Sequence, residues 1–206
     1  MKDAQKILLK DEFQRAFAAA KLVPPKGVFE ALADRYSEPH RAYHTLQHIA
    51  ECLGHLKSVR NVPPAAAIAL WFHDAIYDPQ RNDNEERSAA WAKTVLGKGA
   101  LADQVEKMIL ATKQGVPTID VFERTVADID LAILAAPEPR YSEYEAQLRQ
   151  EYAYLDNAAY RAGRFKLLRS FSDRVYLFGS PEFRNLETRA RKNIERSINA
   201  LIVTKK

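Results

Sequence analysis

The chain has 206 residues, of which 47% are hydrophobic and 28% charged, and a formal net charge of +4. A chain of this length buries a substantial core, and its balance excludes a disordered or low-complexity polypeptide. The small positive excess is spread along the sequence. It suits an anionic substrate, and nucleic acid is not expected as the main partner.

The single cysteine, Cys52, can form no intramolecular disulfide, which fits a reducing compartment. It falls inside an apolar helical pattern and reads as a buried structural thiol. The segment MKDAQKILLKDEFQRAF is charged throughout, unlike a signal peptide, and no apolar run approaches the ~18 residues that would span a membrane. A cytoplasmic protein is expected.

In chain order, Ile7, Leu8, Phe13, Phe17 and Ala20 predict an amphipathic first helix. Pro24 and Pro25 end it, and Val28, Leu32 and Tyr36 mark a second. A third is predicted from Tyr43 to about Val59, with Leu46, Ile49, Ala50, Leu53 and Leu56 on its buried side. Pro63 and Pro64 open a fourth, AAAIALWFHDAIY, apolar nearly all round and so suited to the centre of a bundle. After the polar loop DPQRNDNEER, Asn84 or Asp83 can cap a helix over roughly Glu85–Leu96. Helices near Leu101–Thr112 and Val121–Leu134 follow, with a turn at Gly115 and Pro117 between them. Pro137 and Pro139 break the pattern before YSEYEAQLRQEYAYL, NAAYRAGRFKLLRSFSD and a terminal helix from about Pro181 to Val203. No stretch has convincing strand alternation between hairpin turns. The expected fold is all-α, one irregular bundle of nine or ten helices over residues 1–206. Its core spans about 25–136, and a helical part over 137–206 packs on it.

Three polar elements interrupt the apolar patterns. His44 and His48 are spaced so that a helix would place both imidazoles on one face, about 5–6 Å apart at Cβ. His73 and Asp74 end the most apolar helix, where an ionisable dyad is costly unless paired. They either hold a cation or satisfy the core and an arginine. Asp128 and Asp130 interrupt VADIDLAIL, and one of them pairs with a buried arginine or binds an ion. Together these residues make a mixed nitrogen and oxygen set without thiolate. It suits Mn, Fe, Co, Ni, Zn or Mg, with water completing the shell.

YHTLQHI, WFHDAIYD, DNEERSA and DIDLAIL, in that order, resemble the HD-domain superfamily, and within it a bacterial branch described as predicted metal-dependent HD phosphohydrolases. The likeness continues through YSEYEAQLRQEY, YRAGR and ETRARKNIE. It implies an all-α fold and a metal site that hydrolyses a nucleotide or other small phosphoester. By position it implies His48, His73, Asp74 and Asp130 as ligands of one divalent ion, with Asp130 preferred over Asp128.

The Tyr-His-x-x-x-His stretch also resembles cyclic-nucleotide phosphodiesterases, which makes His44 either a general acid or an outer residue orienting His48. Glu85 either activates water or caps its helix. Arg149 and Arg87 are the leading candidates for contact with a substrate phosphate. Lys113 and Gln114 stand where relatives of this branch often carry histidine, so a second ion is not expected. The alternative from another class is a non-catalytic metal- or nucleotide-binding regulatory module that keeps the HD shell, and a structural protein with only a polar core network is a third reading. A homodimer is compatible with a helical protein of this size.

Overall fold

A computed structural model describes residues 3–116 and 118–203. Among these residues there are ten α-helices, two short 3-10 helices and no strand. The all-α expectation therefore holds.

The chain forms two compact units, 1–129 and 130–206. In the first, α1 (Asp3–Ala19) buries Leu9, Phe13, Ala16 and Phe17. The buried stripe is thus shifted from the one predicted: Ile7 and Leu8 are 63% and 64% exposed. Spacings of four, seven and eight from Leu9 keep the stripe on one face, whereas Ile7 and Leu8 fall off it.

α2 (Val28–Arg35) and α3 (Leu46–Leu56) precede α4 (Pro64–Phe72). Pro63 holds the extended backbone that a following proline requires, and Pro64 occupies the first turn, where no amide partner is lost. Every α4 residue from Ala65 to Phe72 except Ala67 is buried, and α1, α3, α5 and α6 all pack on this helix. Phe13 and Phe29 meet Trp71 edge-on, with ring centroids 5.4 and 6.0 Å away. The central helix is therefore a fixed post, and the residues at its C-terminal end inherit that rigidity.

α5 (Asn84–Leu96) ends at Gly97, whose φ of 76° with ψ of −162° is a conformation essentially confined to glycine. α6 (Ala100–Leu110) leads to Gly115, at φ 84°; Pro117, the other half of the predicted turn, lies outside the described residues. α7 (Val121–Leu131) follows, and the division between the two units falls inside it, one residue before Asp130.

In the second unit a 3-10 helix, Ala132–Ala135, precedes α8 (Glu138–Glu151), α9 (Asn157–Ser172), a second 3-10 helix (Pro181–Leu186) and α10 (Glu187–Val203). α10 lies against α9 and both 3-10 helices. Asn193 donates to the carbonyls of Leu134 and Ala136, each at 2.9 Å, satisfying the end of the first 3-10 helix. Glu187 accepts from the amides of Leu177 and Phe178 and pairs with Arg191, which pins the α9–α10 connection. No helix among the described residues is long and apolar enough to cross a membrane.

Candidate metal centre

His48 occupies the third position of α3. Thr45 caps that helix, accepting from the Gln47 amide at 3.3 Å. This corrects one premise of the sequence reading. The helix begins at Leu46, so His44 lies in the turn before it rather than one helical turn from His48. The two rings still meet edge-to-face, 6.1 Å apart.

Tyr43 and His48 Nδ1 share a hydrogen bond of 2.9 Å. His73, the C-cap of α4, donates from Nδ1 to the Leu70 carbonyl at 2.9 Å. A carbonyl only accepts, so in the neutral ring Nε2 keeps its lone pair. The two Nε2 atoms face each other, 3.1 Å apart. Asp74 Oδ2 is 3.0 Å from His73 Nε2 and 3.4 Å from His48 Nε2. Two donors held ~2.1 Å from one ion lie ~3.0–3.4 Å apart for angles between a right angle and the tetrahedral one. The three observed edges fall in that range.

Asp130 completes a group with His48, Cys52 and His73 whose ligand atoms all lie within 4.8 Å of one another and could hold a metal ion. Residues two apart on a helix point about 200° apart, so only one of Asp128 and Asp130 can face this group. Asp130 does, and Asp128 is buried elsewhere on α7.

Cys52 adds sulfur to a set that sequence reasoning had built from nitrogen and oxygen. It is indeed buried. Its Sγ stands 3.6 Å from His48 Nε2 and 3.7 Å from Nδ1. An atom equidistant from both ring nitrogens at this range lies over the ring face, off the line of the Nε2 lone pair. Asp74 is better aimed than Cys52 at the point where the histidines converge.

Burial pushes the Asp74 carboxyl up, but while the imidazoles are protonated, with no cation between them, the charges of His73 and His44 and hydrogen bonds from His48 and His73 outweigh it. They hold the carboxyl well below its usual range. Glu85 behaves in the opposite way. Burial raises its carboxyl above the usual value, the charges of Asp74 and Glu86 add to this, and its own backbone amide and Lys113 oppose it. Glu85 thus sits in the first turn of α5 within the electrostatic reach of Asp74.

The capping role considered for Asn84 takes another form. Its side chain accepts from the Asp78 amide at 3.1 Å and donates to the Asp78 carbonyl at 2.9 Å, which closes the loop ahead of Glu85. Lys113 donates to the Asn82 carbonyl at 2.6 Å and pairs with Glu86.

His44 stacks on Tyr77 with ring centroids 4.0 Å apart, and Tyr43 meets it edge-on at 4.9 Å. Arg87 is exposed on α5. Arg149 is engaged by the α8–α9 connection. It donates to the carbonyls of Tyr152 and Leu155 at 2.8 and 3.0 Å and to Asn157 Oδ1 at 3.0 Å, and it lies over the Tyr160 ring.

Sequence reasoning weighed Arg41 only as one of several basic residues that could meet a phosphate, gave Tyr77 no role beside the site, and gave Cys52 no part in it. The signal for Cys52 was present: it lies four residues after His48 on the same helix. When the chain is compared with protein-family profiles, curated proteins and solved structures, nothing matches.

Proposed function

We propose that the chain is a metal-dependent phosphohydrolase of the HD type, acting on a nucleotide or other small phosphoester. The observation that carries this reading is the convergence of His48 Nε2, His73 Nε2 and Asp74 Oδ2 within 3.4 Å of one another, with Asp130 grouped with the two histidines and Cys52. A divalent ion bound there supplies Lewis acidity toward a phosphoryl oxygen and lowers the pKa of water.

The chain's own residues then have distinct tasks. His48 and His73 offer neutral Nε2 atoms, each with its Nδ1 held by a partner. Asp74, kept ionised, offsets the charge of a cation. Glu85, with its raised carboxyl, accepts a proton from the attacking water. His44, braced by Tyr77 and Tyr43, donates a proton to the leaving oxygen.

The test is metal content of the purified protein, paired with phosphate release from a nucleotide and phosphoester panel, for wild type and Asp74→Ala. About one equivalent of metal and turnover in wild type, both lost in the variant, is the expected result. Metal without turnover on any substrate would point instead to a regulatory module. No metal after reconstitution with Mn, Co, Ni and Zn would refute the proposal.

A further inference from the structure

We infer that Arg41 is a positioning residue that locks the His44 turn against the His73-Asp74 turn; this rests on the metal-centre reading above. Its side chain is fully buried and forms an ion pair with Glu38, Nε to Oε2 at 3.1 Å. The remaining donors go to main-chain carbonyls of two separate segments. One terminal nitrogen donates to His44 O at 3.1 Å and to Asp74 O at 2.7 Å. The other donates to Ala75 O at 3.2 Å.

Asp74 and Ala75 follow the last residues of α4, where carbonyls lack helical partners and a cation is favoured. A planar guanidinium meets all of these acceptors at once, and an ammonium on a flexible stem does not. The Tyr36 and Tyr77 rings lie near the guanidinium, 5.2 and 5.4 Å from its carbon. Tyr77 is also the ring on which His44 stacks. The backbone and one ring face of His44 therefore trace back to the same side chain that anchors the Asp74 main chain. Glu38, which also pairs with Arg35 at 2.9 Å, lies against the arginine charge, so Arg41 does not set a bare positive charge against a bound cation.

The experiment uses the full chain as wild type, Arg41→Lys and Arg41→Met, with Arg169→Lys as a surface control. Folding is checked by circular dichroism, and Co(II) binding is followed by its visible absorption. Arg41→Lys should fold, bind Co(II) about 10–100-fold more weakly, as expected when support behind a ligand is lost, and show a changed spectrum at saturation. Phosphate release adds a second readout. Substrates with an alkoxide leaving group need His44 placed correctly and should lose about 100-fold, whereas p-nitrophenyl phosphate, whose leaving group needs no proton, should lose much less.

Wild-type Co(II) affinity and spectrum in Arg41→Lys would overturn the inference, as would an equal loss on both substrate types. If Arg41→Met does not fold, Arg41→Lys alone decides. A wild-type chain that binds no Co(II) would overturn the functional reading and this inference together, whereas a defect absent from the variants would overturn the inference alone.

Discussion

Replacing Asp74 with asparagine tests the centre most directly, because the substitution keeps shape and removes charge. Asp74 Oδ2 forms two of the three short edges of the donor triangle, at 3.0 and 3.4 Å. Losing a residue that merely supports a ligand costs about 10–100-fold in affinity, so losing a ligand should cost about 100-fold or more. Linkage converts this into a thermal shift. At free metal 1,000-fold above Kd, the wild type gains about 4.1 kcal/mol, and a variant binding 100-fold more weakly gains about 1.4 kcal/mol. At ~2–4 °C per kcal/mol for a chain of this size, added metal should raise the wild-type melting temperature by about 8–16 °C and that of Asp74→Asn by about 3–6 °C. Differential scanning calorimetry with and without Mn(II) reads both. Equal increments would refute Asp74 as a donor. If Cys52→Ala rather than Asp74→Asn lost the increment, the sulfur-containing set would be the true one.

The two aspartates of α7 should separate cleanly: Asp130→Asn should weaken metal binding about tenfold or more, while Asp128→Asn should leave affinity unchanged, as isothermal titration would register. Glu187, although burial pushes its carboxyl up, is held below its usual range by the amides of Leu177 and Phe178 and by Arg191. Its contribution, about 2 kcal/mol for hydrogen bonds to a charged group, is therefore present above pH ~4.3 and lost as pH falls through the depressed value. Urea unfolding of Glu187→Gln should show a deficit at pH 7 that shrinks as pH falls below ~4.3. Arg164 is buried against Glu145 at 2.7 Å and donates to the Tyr144 hydroxyl at 3.2 Å. Arg164→Met should cost about 3–5 kcal/mol, because it strands a half-buried carboxylate, and a deficit under 1 kcal/mol would refute this.

Much of the helical architecture was legible because its signals are local. The prolines at 24, 25, 63, 64 and 137 delimit helices, and the apolar run at Ala65–Phe72 is the buried central helix. Two errors came from reading periodicity without caps. Thr45 starts α3 three residues later than the apolar pattern suggests, which removes His44 from the helix. Ile7 and Leu8 satisfy the helical period only if the stripe is drawn on the wrong face of α1.

His48, His73 and Asp130 were legible as a group because polar residues inside apolar helices need partners. Arg41 was not. Arginine before a turn looks the same whether it is solvated or threaded under two loops, and only tertiary contacts with Asp74 and Ala75, over 30 residues away, tell these apart. Arg149 was attractive for its place in the tyrosine-rich LRQEY stretch that the family resemblance covers, but its donors answer to nearby carbonyls instead.

The grip of Asn84 on both main-chain groups of Asp78 has a practical consequence. The residues between them form a surface ring closed at its base by two hydrogen bonds, and within it the Arg81 and Asp83 side chains pair with each other at 2.6 Å. Lengthening such a ring adds little closure entropy. The exposed pair Gln80 and Arg81, short of the Asn82 carbonyl that Lys113 holds, is thus a natural attachment point, where a dye or a grafted peptide could report from the surface while the base of the ring stays closed.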